Sequence, residues 1–507
     1  MENKLKAEHL ILKQEITKFL NGELSAADLK HSTAPFGIYQ QRDDLFMTRI
    51  RITGGHLAVS ELNIIADIID KNNIGYAHLT TRQDIQLQGV PPENIYATVR
   101  TCTEGGLPFK GGGGNTFRNI AVSPDSGIAP DSVFDVIPHA KSLNNIIFTW
   151  DKAFELPRKL KIGFASSPKD ELMAVVQDLG FIAKIKDGKR GFKVYGGGGM
   201  GRDSALGVKL FDFIPVEEVP RCTLAMTELF YDHGDRKNRN TARIRFIVKR
   251  LGKEIFIELF NEYFNKTSFD ARDFPEWEFK LGSETKNFPK QSFNQDWIKY
   301  AVSPSRFGDD IVSVKLFVPE GNLNAGQLRK IADMSNLYGV SFVRLTPEQD
   351  IILPLVQRNA LPELYNFLKT ELKDIDLTLE SFKGHITCCL GATICKIGIL
   401  DSPALGNALA AKLDKADIKA ELYSKILDMI KISGCPNSCA GHPVACIGMQ
   451  GQKKKIDDKL ENVYKIFQKT DGKAFALAEA GDYLVKQDDV PDKILEILKQ
   501  NFKELSV

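Results

Sequence analysis

Six of the eight cysteines in this 507-residue chain fall between residues 388 and 446, and four of those six form two spaced pairs. Five residues separate the first pair, three separate the second, and thirty-nine lie between the pairs. Four thiolates carried on two loops can surround an iron–sulfur cubane, which takes four cysteine ligands. The candidate ligands are Cys389, Cys395, Cys435 and Cys439.

Spacing alone leaves other uses of these cysteines open. Structural zinc usually takes cysteines two residues apart, which neither pair matches, so a zinc-stabilised binding protein is an alternative that the spacing disfavours. A non-catalytic iron–sulfur electron carrier or assembly protein is a second alternative. Cys388 and Cys446 are predicted to be packing residues, and Cys102 and Cys222 to be core residues.

An internal duplication must help to position any site in this chain. Residues 43–87 align without gaps on residues 309–353, with fourteen identities in forty-five positions. Each copy predicts a strand, a turn at Gly55 or Gly321, a helix and a second strand. One copy cannot bury its apolar face alone, so we expect the two to pack as a pseudo-symmetric unit.

The two copies differ in their arginines. Three arginines of the first copy align with other residues in the second, which indicates an anion site that only the first copy feeds. The aligned pairs are Arg49 with Lys315, Arg51 with Phe317, and Arg82 with Glu348.

Composition narrows the class of protein. A net charge of +2 gives no overall signature of nucleic-acid or membrane binding, so we expect neither partner. No apolar run approaches the roughly 18 residues that span a bilayer. The first twenty residues mix charged with apolar side chains, unlike a secretory signal, and predict a cytoplasmic protein.

Several segments resemble the sirohaem-dependent sulfite and nitrite reductase family, over nearly the whole chain. TCCLGATICKIG and ISGCPNSCAGH…IGMQG are similar to its two cluster motifs. LTTRQDIQLQG, NTFRNI and LPRKLKIG are similar to three segments that surround its substrate. The chain departs from the family at Ala440, a common glycine position, and at Ala445-Cys446.

The resemblance implies an α+β fold in which duplicated, pseudo-symmetric ferredoxin-like half-domains accompany two α/β domains that bind sirohaem and the cluster. A linker is predicted over 273–294. The expected domains are an N-terminal helical extension (1–35), the first half-repeat (36–115), a sirohaem and substrate domain (116–285), the second half-repeat (300–358) and a [4Fe–4S]/sirohaem domain (360–507).

The resemblance also implies roles for residues. Cys439 would bridge the [4Fe–4S] cluster to the sirohaem iron, and Asn437 would lie beside the macrocycle. Arg49 and Arg51 are candidates for the sirohaem carboxylates. The cations expected around the bound substrate are Arg82, Arg118, Lys159 and Lys161.

These cations suit a small oxyanion, because arginine offers a planar fork of donors and a buried lysine can also supply protons. The expected reaction is the six-electron reduction of sulfite to sulfide, with reduction of nitrite to ammonia as the alternative. In the family, a Lys-x-Lys strand such as Lys159–Lys161 is more typical of sulfite enzymes. With no flavin or nicotinamide domain apparent, we expect a separate ferredoxin or flavoprotein as electron donor.

Overall fold

A computed structural model describes residues 2–270, 288, 291–373, 375, 382–416, 418, 425–469 and 476–502. The predicted linker over 273–294 lies largely outside them. The helices are α1 Glu2–Leu20, α2 Ala26–Thr33, α3 Val59–Lys71, α4 Ile95–Glu104, α5 Ile137–Ile147, α6 Glu171–Val175, α7 Val219–His233, α8 Ile244–Leu251, α9 Lys253–Lys266, α10 Ile298–Ala301, α11 Ala325–Leu337, α12 Leu361–Glu371, α13 Gly391–Ile394, α14 Ser402–Asp414 and α15 Val490–Asn501.

Within these described residues, the strands form four five-stranded sheets. In chain order they are β1 Tyr39–Gln40, β2 Phe46–Ile50, β3 His56–Ala58, β4 Tyr76–Leu79, β5 Ile85–Val90, β6 Ala121–Val122, β7 Ile162–Ala165, β8 Leu179–Lys186, β9 Lys189–Gly196, β10 Val208–Pro215, β11 Val302–Pro304, β12 Ile311–Leu316, β13 Asn322–Leu323, β14 Phe342–Leu345, β15 Ile351–Gln357, β16 Ile386–Cys388, β17 Ile430–Ser433, β18 Ile447–Ile456, β19 Lys459–Gln468 and β20 Glu479–Lys486.

The predicted duplication is present in three dimensions. Helices α3 and α11 begin and end at equivalent residues, as do strands β4 and β14. Both predicted turns are kept, with Gly55 at φ 65° and Gly321 at φ 69°, in the left-handed region that favours glycine. The apolar faces of the two copies share one continuous hydrophobic core. The α+β fold with duplicated half-domains is therefore confirmed.

The two copies exchange a strand. The sheet of the first copy has the order β1-β2-β5-β4-β13, and that of the second has the order β11-β12-β15-β14-β3. Each sheet thus ends in a short strand from the other copy. Gln83 and Gln349 occupy equivalent positions, and their side-chain amides donate to Leu345 O (2.9 Å) and Leu79 O (3.0 Å) respectively. Neither sheet is complete without the other copy.

The third sheet, β10-β9-β8-β7-β6, carries much of the predicted substrate region. Strands β6, β7 and β8 run parallel, while β8, β9 and β10 are antiparallel. Helices α5, α7, α8 and α9 contribute to the core of this region with the inward residues of the sheet.

The fourth sheet, β16-β17-β18-β19-β20, packs against α14 and α15. Its first three strands are parallel, and its last three are antiparallel. Over the ranges given above, no helix is long and apolar enough to cross a membrane. The predicted domain boundaries stay predictions.

Candidate active site

The two cysteine pairs meet where two parallel strands end. Cys389 follows β16 directly, and Cys435 follows β17 after one glycine. Because β16 and β17 are neighbours with Cys388 opposite Ile432, the two loops leave the same edge of the sheet. The carboxyl edge of parallel strands is the usual place for a ligand site in such sheets. The turn formed by α13 then returns the chain to Cys395.

Hydrogen-bond donors point at the cysteine sulfurs. The backbone N–H of Gly434 donates to Cys389 Sγ at 3.3 Å, and the amide nitrogen of Asn437 donates to Cys435 Sγ at 3.4 Å. Ser402 Oγ lies 3.0 Å from Cys389 Sγ. Donors of this kind stabilise a thiolate and tune the potential of a cluster that it binds.

The thiols also interact electrostatically. Burial, together with the nearby Cys439, raises the pKa of Cys389 to about 11. The same two causes, burial first and then Cys439 among the charges, raise the pKa of Cys395 and of Cys435. Thiols this close disfavour one another's ionisation, so a nearby positive charge is needed for all of them to become thiolate ligands. Within the described ranges, no three His, Cys, Asp or Glu side chains converge on a single-ion site. In a cubane, by contrast, each thiolate binds a different iron.

The remaining cysteines follow the predictions with one exception. Cys102 and Cys222 are fully buried, as expected for core residues. Cys388 points away from Cys389 into the core beneath α14, where a Cβ added at Gly406 would lie 2.6 Å from its sulfur. The packing prediction for Cys446 is wrong, because this residue is exposed after the turn at His442–Val444.

The cluster loops contact the first half of the chain. Thr81 Oγ1 donates to Cys439 O at 2.6 Å, and Ser438 Oγ donates to Gly201 O at 3.3 Å. Arg42 binds the other loop, with donors 3.3 Å from Cys395 O and from Gly398 O. The cysteine loops therefore form one wall of a site whose other walls belong to the first repeat and the third sheet.

Arg82 and Arg118 are both half-buried near this junction. Arg82 lies in the turn between β4 and β5, and its guanidinium donates to Gln177 Oε1 (2.8 Å) and Ile162 O (2.9 Å). Arg118 donates to the backbone of the four consecutive glycines at 111–114, at Gly112 O (3.1 Å) and Gly114 O (2.9 Å). The Nε of each arginine is buried without a hydrogen-bond partner.

Lys159 and Lys161 lie on the extended segment that leads into β7. Both are half-buried, whereas Leu160 between them is fully buried, as expected if the two lysines share one face. Burial, with Arg243 and Arg118, lowers the pKa of Lys159 to about 7, against the opposing effect of Cys439. Burial, Arg82 and Lys159 lower the pKa of Lys161 well below its usual value. The four predicted cations and Cys439 are thus brought together.

Three further residues lie in this group of cations or contact it, and were not predicted as site residues: Arg243, Gln177 and Asp178. Arg243, which precedes α8, is the charged group that most strongly lowers the pKa of Lys159. Its guanidinium also forms two hydrogen bonds to the buried carboxylate of Asp178, at 3.0 and 2.6 Å. Gln177 is the acceptor for Arg82. The signal for Arg243 lay in the segment 231–246, which resembles a family segment. Asp178 has no local signal, because its partner is 65 residues away.

The two arginines predicted to bind sirohaem carboxylates differ. Arg49 is half-buried and donates to Gly112 O at 2.5 Å. Arg51 is only 2% exposed, donates to Phe117 O (2.9 Å) and Asn144 Oδ1 (2.6 Å), and stacks on Phe148. Its guanidinium is enclosed by the protein, so we assign it a structural role instead of the predicted cofactor contact.

The second repeat has internal ion pairs where the first has arginines. Lys315 lies 3.2 Å from Asp350 and 2.5 Å from Asp428, and Glu348 lies 3.1 Å from Lys431. In these pairs, the acidic and basic side chains neutralise each other's charge within the protein. The pattern supports the prediction that only the first repeat feeds an anion site.

A cavity of about 520 Å³ opens beside the cluster loops. It lies between Arg202, next to the glycine that Ser438 contacts, and the face of the fourth sheet opposite α14 and α15. Its polar lining consists of Arg202, Lys465, Gln450 and Gln452. Two cations and two amides suit a ligand that carries carboxylates.

The residues fit the implied cofactors. Four thiols, of which Cys389 and Cys435 have donors to sulfur, match the ligand set of a [4Fe–4S] cluster. Glycine backbone at residues 199 and 201 packs against Arg243 and Arg245, and a Cβ at Gly201 would lie 2.9 Å from the Arg245 guanidinium. Arg245 is buried, yet its Nε and Nη1 have no hydrogen-bond partner. Such orphaned donors suit an anionic group.

Comparison with known proteins identifies the same family that the sequence motifs resemble. The model of the nitrite and sulphite reductase 4Fe-4S domain matches residues 113–268, which include Arg118, Lys159 and Lys161 but none of the four cysteines. The model of the nitrite/sulfite reductase ferredoxin-like half domain matches residues 39–104 and 304–370. These matches together span more than half of the chain.

The similar proteins include enzymes named for nitrite and enzymes named for sulfite. A ferredoxin–nitrite reductase of Synechococcus elongatus is 27% identical, over 98% of this chain and 95% of its own. A sulfite reductase [ferredoxin] of Mycolicibacterium paratuberculosis is 26% identical, over 80% of this chain and 70% of its own. The structure of Mycobacterium tuberculosis NirA has a TM-score of 0.76 at 22% identity, covers 93% of this chain and 87% of that one, and has the same fold. The chain belongs to the nitrite and sulfite reductase family of iron–sulfur oxidoreductases.

Proposed function

We propose that this enzyme reduces sulfite to sulfide by six electrons. The observation that carries the proposal is the cluster of Arg82, Arg118, Lys159, Lys161 and Arg243 beside Cys439. Lys159 and Lys161 have no carboxylate partner within the described residues. Buried like charges are costly unless an anion joins them. A small oxyanion supplies that charge.

The residues of this cluster have distinct tasks. The guanidinium groups of Arg82 and Arg118 are held by carbonyl and amide oxygens, so their remaining donors are fixed in direction before the anion arrives. Lys159, with a pKa near neutral, can hold a proton at Nζ and release it to an oxygen atom of the bound anion, which leaves as water. Lys161 lies beside it on the same face and shares the anion.

Cys389, Cys395, Cys435 and Cys439 are the proposed ligands of a [4Fe–4S] cluster. Cys439 is also the proposed bridge to sirohaem, with Asn437 beside the macrocycle. Arg49, Arg202 and Lys465 would bind sirohaem carboxylates. When bound, the cluster and sirohaem supply the electrons and the iron at which the anion is reduced.

A separate one-electron protein is the proposed donor. The names of the relatives specify ferredoxin for both nitrite and sulfite enzymes, which supports a ferredoxin-type donor here. The small anion is the substrate partner.

Nitrite reduction to ammonia is the second candidate. Its support is the relative from Synechococcus elongatus, a nitrite enzyme that aligns over 98% of this chain. Support for sulfite comes from Lys161, since the family's sulfite enzymes more typically have lysine at both positions of this strand.

The test is kcat/KM for sulfite and for nitrite with a reduced viologen dye as donor, on protein whose visible spectrum shows sirohaem. Higher kcat/KM for sulfite is the expected outcome. Lys161→Asn is expected to move the ratio towards nitrite by about tenfold, because one cation is exchanged for a neutral amide. Lys169→Asn, at an exposed ion pair on the far end of β7, is the matched control and should leave the ratio unchanged. A sirohaem-loaded enzyme that reduces neither anion would refute the proposal.

A further inference from the structure

Two adjacent residues, Gln177 and Asp178, accept hydrogen bonds from three residues of the cation cluster. They form the turn between α6 and β8, and both are buried, with Asp178 fully so. Their side chains reach Arg82 and Arg243, and Asp178 also reaches the backbone of Lys161. These contacts connect three segments that are distant in sequence.

Asp178 uses both carboxylate oxygens. Oδ1 accepts from Arg243 Nε at 3.0 Å, and Oδ2 accepts from Arg243 Nη2 at 2.6 Å and from the backbone N–H of Lys161 at 2.8 Å. A bidentate carboxylate fixes the plane of a guanidinium as well as its distance. The bond to the Lys161 N–H fixes the strand that carries both lysines. One carboxylate therefore sets the position of Arg243 relative to Lys161.

Gln177 fixes the remaining arginine. Its Oε1 accepts from Arg82 Nη1 at 2.8 Å, while its Nε2 donates to Met173 O at 2.9 Å, so the amide cannot rotate without losing a bond. Gln177 also packs closely on the backbone of Gly163, where an added Cβ would lie 2.8 Å from Gln177 Cγ. The side chain is neutral, so it orients Arg82 without cancelling its charge.

We propose that Gln177 and Asp178 are positioning residues that set the geometry of the anion site through Arg82 and Arg243. This inference rests on the proposed function. Neither residue touches the anion; each acts through the arginine that it holds. A shift of about 1 Å in such a group can reduce a rate a hundredfold.

The measurement is the dissociation constant of sulfite for the sirohaem-loaded enzyme, from the change in its visible spectrum, together with KM and kcat. Asp178→Asn keeps the shape of the side chain but loses one acceptor and its charge. We expect the dissociation constant and KM to rise by about tenfold to a hundredfold, with a smaller change in kcat. Gln177→Leu should raise both by about tenfold.

A double-mutant cycle separates positioning from a merely structural role. If Asp178 acts through Arg243, then Asp178→Asn combined with Arg243→Ala should bind sulfite no more weakly than Arg243→Ala alone. The same relation should hold for Gln177→Leu with Arg82→Ala. If Asp178→Asn does not fold, the Gln177 cycle decides the proposal by itself.

Asp350→Asn is the control, because Asp350 is also buried and paired with a cation, Lys315 at 3.2 Å, but lies in the second repeat. It should change thermal stability and leave sulfite affinity unchanged. Losses that simply add in both cycles, or wild-type affinity in Asp178→Asn, would overturn the inference. A wild-type enzyme that binds sirohaem but no sulfite or nitrite would instead overturn the proposed function.

Discussion

At the scale of single residues, the site depends on side chains whose charge is not cancelled. Lys159 and Lys161 approach Arg82, Arg118 and Arg243, and burial lowers the pKa of both lysines. In the second repeat, the equivalent region contains paired acids and bases. Since Lys159 and Lys161 have no carboxylate partner within the described residues, the proposed anion would be theirs, and substrate affinity should follow the charge of the individual lysines.

Nitrite binding should weaken as pH rises through the pKa of Lys159, about 7 before the anion binds. A lysine is charged below its pKa and neutral above it, so attraction for an anion is complete at low pH and lost at high pH. We expect the dissociation constant to rise by up to about tenfold per pH unit on the alkaline side. Nitrite is the suitable probe because it stays ionised across this range.

Lys159→Arg should flatten that alkaline decline, because the guanidinium keeps its charge. Lys186→Arg is the control: Lys186 is exposed at the end of β8, and its replacement should leave the pH profile as in the wild type. An unchanged alkaline decline in Lys159→Arg would show that another group titrates.

Cys439 and Cys446 offer a matched pair, because both are exposed cysteines seven residues apart. Cys439→Ser should lose the coupled sirohaem and its visible absorbance, since serine is a poor ligand for iron in this setting. Cys446→Ser should retain iron, acid-labile sulfide and spectrum at wild-type levels. Full sirohaem absorbance and activity in Cys439→Ser would contradict the bridging assignment.

At the scale of elements, tight turns decide how the repeats fit together. Gly55 has φ 65°, and a Cβ there would lie 2.6 Å from Leu345 O of the other repeat. The equivalent Gly321 would meet Leu79 O at 3.0 Å. Close approach and positive φ coincide at the junction, so glycine is required there on both counts.

Gly55→Ala should therefore destabilise the protein more than an alanine at a glycine with positive φ alone. Gly106 has φ 84° and nothing within 4 Å of an added Cβ, so Gly106→Ala should cost about 1 kcal/mol. Gly55→Ala adds a contact with a backbone oxygen and should cost about 3 kcal/mol. The free energy of unfolding in urea measures both, and equal losses would contradict the role of the close approach.

The sequence predicted these elements unevenly, for physical reasons. The helices, the positive-φ glycines and the cysteine loops follow from local periodicity and spacing. The exchanged strands did not, because two- and three-residue strands such as β13 and β3 carry too little pattern to reveal a partner. The role of Asp178 could not be predicted from the sequence, because it depends on a contact with Arg243, which is distant in the chain. Arg51 has the residue type of a ligand-binding arginine, but its guanidinium donates to Phe117 and Asn144, contacts that no local pattern predicts.

At the scale of the whole molecule, the exchanged strands join the two repeats into one folding unit. Both sheets contain a strand of the other repeat, and both repeats share one hydrophobic core. Local opening of one sheet must remove a strand from the other. The repeats should therefore lose structure together.

Native-state hydrogen exchange should give β4 and β14 the same free energy of opening. Gln349→Leu removes the bonds to Leu79 O and to His78, and should lower protection in both sheets although the residue belongs to the second repeat. Asn366→Leu, on the exposed part of α12, should leave both unchanged. Loss of protection in β14 while β4 stays protected would contradict a single unit.

The exchanged strands have a further consequence for the history of the site. Two equal copies that each complete the other's sheet have the geometry of a homodimer with a two-fold axis, made into one chain by fusion. In a true homodimer, any residue change appears in both halves. Once the copies share a chain, one half can keep Arg82 for an anion while the other acquires Glu348 and the internal pair with Lys431. A single chain therefore allows the two halves to differ in sequence while the packing between them is kept.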